Sequence, residues 1–152
     1  MSESGSSSSN SAVGLDGRIV AQILHHIAAS IYHLRIYGEL SPNLLQSIDI
    51  VVNSVTFLTQ TAPLDFEFQE GRQEGFSTQS AKVWINGTVF EPQAEESAWT
   101  HSVVRLAKKS GWSKLTLCAG LTNEEWMAFL TAASGGTEIG AFPHVQVEWG
   151  PA

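Results

Sequence analysis

The chain has 152 residues, of which 43% are hydrophobic and 15% are charged, a low charged fraction against the ~25% usual in soluble domains. Its length suffices for one compact domain with its own core. The net charge of -7, with eight basic residues, excludes the positive surface that nucleic-acid binding requires. A weakly charged surface is instead typical of a protein that associates with itself or with a protein partner.

Cysteine content and hydropathy bound the compartment. Cys118 is the single cysteine, which excludes an intramolecular disulfide and argues against a cysteine metal site. The N-terminus "MSESGSSSSNSAVG" has neither the basic start nor the apolar core of a signal peptide, and no apolar run approaches the ~18–20 residues that span a bilayer. We therefore expect a cytoplasmic protein without a membrane span.

A change of composition near residue 15 separates two regions. Residues 1–14 are rich in serine and poor in apolar groups, which predicts a disordered tail. The remainder, 15–150, is predicted to be a single α+β domain, with a helical hairpin over 15–62 and a sheet with two helices over 63–150.

The hairpin is predicted from apolar residues that recur every three or four positions, first from Ile19 to Leu34 and then from Leu44 to Leu58. Gly38 ends the first helix, while Ser41 and Pro42 begin the second, so the short link predicts antiparallel packing. Their broad apolar faces must be covered by the rest of the domain, by a second copy of the chain, or by both. The residues predicted to form a dimer interface are Ile27, Ile31, Leu34, Ile48, Val52 and Val55.

After Pro63 the apolar period changes from 3.6 to 2, in "LDFEFQ", "STQSAKVWI" and "TVF". Asn86-Gly87 between two of these runs predicts a hairpin with a type I′ turn, which needs positive φ at both central positions. The same residues with Thr88 form a glycosylation sequon, but a cytoplasmic chain does not meet the glycosylation machinery. Asn86 and Gly87 are therefore predicted to be structural.

Two further helices and two further strands complete the domain. Ser97 is predicted to cap a helix that closes at Gly111, followed by a strand in "SKLTLCAG". Thr122 and Glu125 have the spacing of a capping box, and "HVQVEW" alternates as a last strand. The fold class is thus α+β, with an N-terminal antiparallel helical hairpin followed by a small mixed sheet and two further helices.

The order of these elements resembles a poorly characterised N-terminal α+β module found ahead of HD-GYP or HEAT-repeat regions in bacterial signalling proteins. The similar segments are "HLRIYGELSPNLLQSI", "KVWINGTVF", "VVRLAKKSGWSKLTLCAGLTNEEWMAFL" and "HVQVEW", so the resemblance spans about Asp16 to Trp149. It implies a non-catalytic domain that pairs or positions a partner, often beside an output domain. The present chain ends at Ala152 without one, which indicates a stand-alone adaptor or a fragment.

Candidate reactive residues are outweighed by simpler interpretations. His25, His26 and His33 lie on the first predicted helix, but no residue completes an H-E-x-x-H zinc motif, and lining the helix pair explains them better. If the pair forms a dimer seam, these histidines make it sensitive to pH. His101 has no G-x-S-x-G nucleophile elbow near it, and the glycines of "ASGGTEIGAF" match no phosphate loop. We predict no catalytic residue, no cofactor and no metal.

The tryptophans are more informative. Trp84 alternates with Val83 and Ile85, so it points to the other face of the sheet, where it either packs under a helix or anchors a partner. Trp112 follows the helix-ending Gly111 and is predicted to be half exposed. Trp84 and Trp112 are the predicted partner-binding residues.

Together these features predict a non-enzymatic, homodimerising adaptor or scaffold of a bacterial signalling or cell-organisation system that binds a protein partner. The alternative is a small acidic protein, similar to a secretion chaperone, that binds an effector segment. A sensor of a small ligand or cyclic nucleotide is a third possibility with less support.

Overall fold

The computed structural model describes residues 16–72, 79–90, 94–135 and 142–149, and within them the fold class is the predicted α+β. The serine-rich segment 1–14 lies outside the described residues. In chain order the elements are α1 (Gly17–Tyr37), α2 (Pro42–Leu58), β1 (Leu64–Arg72), β2 (Gln79–Ile85), β3 (Thr88–Phe90), α3 (Ala94–Ser110), β4 (Trp112–Leu117), α4 (Asn123–Ser134) and β5 (Val145–Trp149).

The end of the first hairpin helix and the start of the second lie at the predicted signals. The Asp16 carboxylate accepts a hydrogen bond from the Arg18 backbone N–H, and α1 ends at Gly38, whose φ of 79° is left-handed. The Ser41 hydroxyl accepts from the Leu44 N–H, and Pro42 opens α2, where its missing N–H costs nothing. Local hydrogen bonding and φ preferences therefore define these ends of the two hairpin helices.

Helix α1 is the central helix of the domain, because it contacts α2, α3 and α4. It is buried over a wide arc that includes three polar or small residues as well as aliphatic ones. The Arg35 guanidinium at its end donates to the backbone carbonyls of Ser134 and Ala133 and to the Ser110 hydroxyl. A cation at the C-termini of α3 and α4 is favourable, so Arg35 ties three helices together.

The sheet has five strands in the order β3-β2-β1-β4-β5, and every pairing is antiparallel. The expectation of a mixed sheet is therefore corrected. Strand β4 pairs with β1 after α3, with Leu64 opposite Leu117, and the two strands run in opposite directions. An antiparallel sheet can leave one face to solvent.

The strands alternate between a buried face and an open face. Phe66, Val83, Leu115 and Val145 belong to one hydrophobic core with α1, α2, α3 and α4. The opposite face carries polar residues, among them Glu67, which lies opposite both Trp84 and Lys114. The helices thus cover one side of the sheet.

The turn between β2 and β3 has the predicted type I′ conformation. Asn86 and Gly87 have φ values of 52° and 83°. The Asn86 side-chain oxygen also accepts a hydrogen bond of 2.8 Å from the Asp65 backbone N–H, so the turn is attached to the neighbouring strand. Both residues are structural, as predicted.

Helix α4 has the predicted capping box, and helix α3 begins earlier than predicted. Thr122 and Glu125 hydrogen-bond each other's backbone N–H groups. The same Glu125 carboxylate accepts from His144 Nδ1 at 2.8 Å, which joins α4 to the segment before β5. Helix α3 already starts at Ala94, so the cap predicted at Ser97 lies inside the helix.

Candidate functional site

The six residues predicted to form a dimer interface are buried inside the chain. Ile27, Ile31 and Val55 are fully covered, and Leu34, Ile48 and Val52 are 7% exposed. They belong to the single core that the hairpin shares with the sheet and with α3 and α4. The predicted interface is therefore corrected, because the rest of the domain covers both apolar faces.

Trp112 is also buried, at 2% exposure, so its predicted partner-binding role is wrong. Its ring packs edge-on against Phe68 and Phe129. The register of β4 shifts between Trp112 and Lys114, and this bulge turns Trp112 to the face that also carries Leu115. The prediction placed Trp112 between the helix and the strand, whereas Trp112 is the first residue of β4 and its ring enters the core.

Trp84 lies on the open face of the sheet, as its alternation predicted. It is half-buried and stands directly opposite Val89, which is 39% exposed. On its other side Trp84 stands opposite Glu67 of β1. Trp84 and Val89 form an apolar pair beside the short edge strand β3, and we call this pair the sheet patch.

A larger apolar surface lies on the helices. Six large apolar side chains of α1 and α2 are at least half exposed: Tyr32, Ile36, Tyr37, Leu45, Ile50 and Phe57. These two helices, of 21 and 17 residues, contain only three charged side chains, Arg18, Arg35 and Asp49. We call this the helical surface.

The sequence signal for part of this surface was present but unused. Ile50 and Phe57 are seven residues apart and so lie on one side of α2. They are out of phase with the buried Ile48, Val51 and Val55, which face the core. Two large apolar residues on one exposed side of a helix are therefore a candidate contact surface.

Two adjoining grooves cross the helical surface. A groove of about 320 Å³ lies between α1 and α3, and Tyr32 and Leu106 line it. A second, of about 360 Å³, lies between α1 and α2, and Asn43, Leu44 and Ile50 line it. The lining of both grooves includes one contacting pair of rings, His25 and Trp99.

The His25 and Trp99 rings have centroids 4.1 Å apart and separate the two grooves. Burial lowers the pKa of His25, so this imidazole is neutral at pH 7. Within the described part of the chain, no Asp, Glu, Lys or Arg lines either groove. No local pattern in the sequence could have joined these two residues, because they lie on different helices far apart in the chain.

His26 is a buried polar link between α1 and α2. Its Nδ1 lies 2.8 Å from the Ser47 hydroxyl, whose own hydrogen is donated to the Leu44 carbonyl. Nδ1–H is therefore the donor to Ser47, and Nε2 has no hydrogen-bond partner among the described residues. Burial, followed by the neighbouring His25, lowers the pKa of His26 to about 4.

The described residues hold neither a metal cluster nor a membrane-spanning helix. No group of three histidine, cysteine, aspartate or glutamate side chains there is placed to bind a metal ion. In the same part of the chain, no helix has the length and hydropathy to cross a bilayer.

Comparison with known proteins returned no match to a family model, to a curated protein or to a solved structure. The resemblance to the module of bacterial signalling proteins therefore stays a prediction.

Proposed function

We propose that the protein is a non-enzymatic adaptor that forms a homodimer through its helical surface and binds a protein partner in the bacterial cytoplasm. The observation that carries this proposal is the exposure of six large apolar side chains on two helices that have almost no charge. Several large apolar side chains exposed on weakly charged helices indicate a surface that a partner covers.

Charge supports self-association through this surface. Two copies with a net charge of -7 repel each other, so they can approach closely only where acidic groups are scarce. Helix α1 contains no acidic residue, and α2 contains one, Asp49. The Asp49 carboxylate accepts a hydrogen bond from the Asn123 side chain of α4, which offsets part of the free-energy cost of removing it from water.

Sedimentation of the purified chain tests the proposal. We expect a dimer at ~100 μM and dissociation in Ile50→Glu, because an unpaired carboxylate in an apolar interface is strongly unfavourable. Gln146→Glu, which adds the same charge at an exposed position on the open sheet face, is the control and stays dimeric. A monomeric wild-type chain at that concentration contradicts the proposal.

The chaperone-like alternative has one observation in its favour, the sheet patch. A half-buried tryptophan beside a short edge strand offers both an apolar contact and a nearby strand edge to an extended segment. This alternative predicts that an effector segment binds at Trp84 and Val89 and leaves the helical surface free. Protection of the two surfaces from hydrogen exchange in the complex separates the alternatives.

A further inference from the structure

We propose that the two copies associate through antiparallel α2 helices that cross at Ile50, with Phe57 of each copy seated in the α1–α2 groove of the other. This inference rests on the proposed self-association and assigns its geometry.

The outward side of α2 has the pattern that such a crossing needs. Ile50 and Phe57 are 59% and 64% exposed and lie two turns apart, about 10.5 Å along the helix. The exposed residues beside them include the uncharged Gln46 and Asn53 and the acidic Asp49. The Asp49 carboxylate is hydrogen-bonded to the Asn123 side chain of α4, so each copy brings one partnered charge to an otherwise neutral seam.

Symmetry then determines what Phe57 meets. In a two-fold dimer, if residue i of one copy contacts residue j of the other, j contacts i. With Ile50 on the axis of two antiparallel helices, Phe57 lies opposite position 43, and Asn53 lies opposite position 47. Asn43, Leu44 and Ser47 all line the α1–α2 groove. Each dimer thus contains two such contacts, in which the exposed Phe57 ring of one copy lies against the α1–α2 groove of the other.

The described lining of the groove suits a phenyl ring. Its volume of about 360 Å³ and its lining, which includes Leu44, Val51 and Trp99, favour an apolar occupant. Among the described residues no Asp, Glu, Lys or Arg lines it, and its two histidines have lowered pKa values. Trp99 and His25 offer ring faces and edges for aromatic contacts.

The crossing face carries part of the apolar area that a stable dimer needs. Aromatic side chains bury ~150–250 Å² each, so Tyr32 and Phe57, at about two-thirds exposure, present roughly 200–330 Å². Ile36, one turn after Tyr32, and Ile50 add to this area. A standard interface takes about 800 Å² from each partner, of which polar rim residues supply a share.

Disulfide trapping tests the crossing point. In a Cys118→Ser background, Ile50→Cys lies opposite itself on the axis and should cross-link rapidly on mild oxidation. The double variant Asn43→Cys, Phe57→Cys should also cross-link, through two symmetric bonds, at a chain concentration raised to offset the loss of the Phe57 ring. Gln146→Cys, on the open sheet face, is the matched exposed control and should stay uncross-linked at the same concentration.

A dissociation constant tests the seated ring. Phe57→Ala should raise the dissociation constant of the dimer about 10- to 100-fold, the effect of truncating an aromatic hot spot, with unchanged thermal stability of the monomer. Val89→Ala, which truncates an exposed apolar residue on the sheet, should change it less than about threefold.

The outcomes separate this inference from the proposal on which it rests. A wild-type dimer in which Ile50→Cys cross-links no faster than Gln146→Cys overturns the α2 crossing and leaves self-association standing. A monomeric wild-type chain overturns both. A monomer whose groove amides shift on addition of indole assigns the groove to a small aromatic ligand and likewise overturns the inference.

Discussion

The helical surface and the open sheet face are both exposed, yet they differ in chemistry. The helical surface carries six large apolar side chains and three charges over two helices. On the open sheet face, residues of opposite charge lie side by side on neighbouring strands, as in the row of Glu67, Lys114 and Glu148. The apolar pair described on this face is the sheet patch of Trp84 and Val89. An uncovered sheet face needs only polar side chains to stay in water. Exposed apolar helix residues therefore mark the stronger candidate for an interface.

Substitutions in the buried stripe of the hairpin should reduce stability far more than the same substitutions at its exposed residues. Ile27→Glu places a carboxylate at a fully buried position. The free-energy cost of burying it should exceed the total stability of an ordinary domain, so the variant should show no cooperative unfolding transition. Ile50→Glu, at 59% exposure, should leave the monomer's free energy of unfolding within about 0.5 kcal/mol. Thermal melts followed by circular dichroism measure both. Equal losses in the two variants would show that the buried and exposed positions do not differ.

Acid should weaken the helical side through His26. Its pKa is about 4 in the folded chain, against 6.5 for an unperturbed histidine, so the unfolded chain binds the proton first as the pH falls. The contribution is complete above pH 6.5, and about 2–3 kcal/mol of it should be lost between pH 6.5 and 4.5. Chemical denaturation across that range measures the loss.

A matched variant and a second group isolate this effect. His26→Asn, which can still bond to Ser47, should show a much smaller slope in the same range. Burial tends to raise the pKa of Glu125, but the hydrogen bonds from His144 and Thr122 outweigh it and lower that pKa. Its contribution is therefore present above about pH 4.5 and is lost only at lower pH. A slope unchanged in His26→Asn would contradict the assignment to His26.

Two glycines on the sheet side of the domain differ in the space around them. Gly87 and Gly120 both have left-handed φ values, of 83° and 87°, but a Cβ on Gly120 meets His144 Nε2 at 3.1 Å and one on Gly87 meets nothing within 4 Å. Gly87→Ala should cost about 1–2 kcal/mol from backbone strain alone. Gly120→Ala should cost about 1 kcal/mol more, because the displaced imidazole loses its contact with Glu125. Urea denaturation measures both, and equal costs would remove the role of His144.

The smallest expected effect on stability is at the sheet patch. Trp84→Ala removes a half-buried ring and should cost about 1 kcal/mol, whereas Trp126→Ala, which removes a fully buried ring, should cost about 3–5 kcal/mol. If Trp84 anchors a protein partner, binding to that partner weakens while the dimer persists. A Trp84→Ala cost as large as that of Trp126→Ala would make Trp84 a core residue.

Features that depend on neighbouring residues were predictable from the sequence. The left-handed cap at Gly38, the capping box of Thr122 and Glu125, and the type I′ turn at Asn86 and Gly87 all follow from local hydrogen bonding and φ preferences. The alternation that puts Trp84 on the open face is local as well. These signals also sufficed for the α+β class, since they define the order and type of the elements.

Which apolar faces are covered depends on contacts between distant parts of the chain. Ile27 and Val52 have the same periodicity whether a second copy or α3 and α4 pack on them, so sequence reasoning assigned them to the wrong contact. A one-residue bulge reversed the side of Trp112, and the contact of His25 with Trp99 joins residues far apart in the chain. Packing depends on contacts between distant segments, and a local period specifies a face without specifying what covers it.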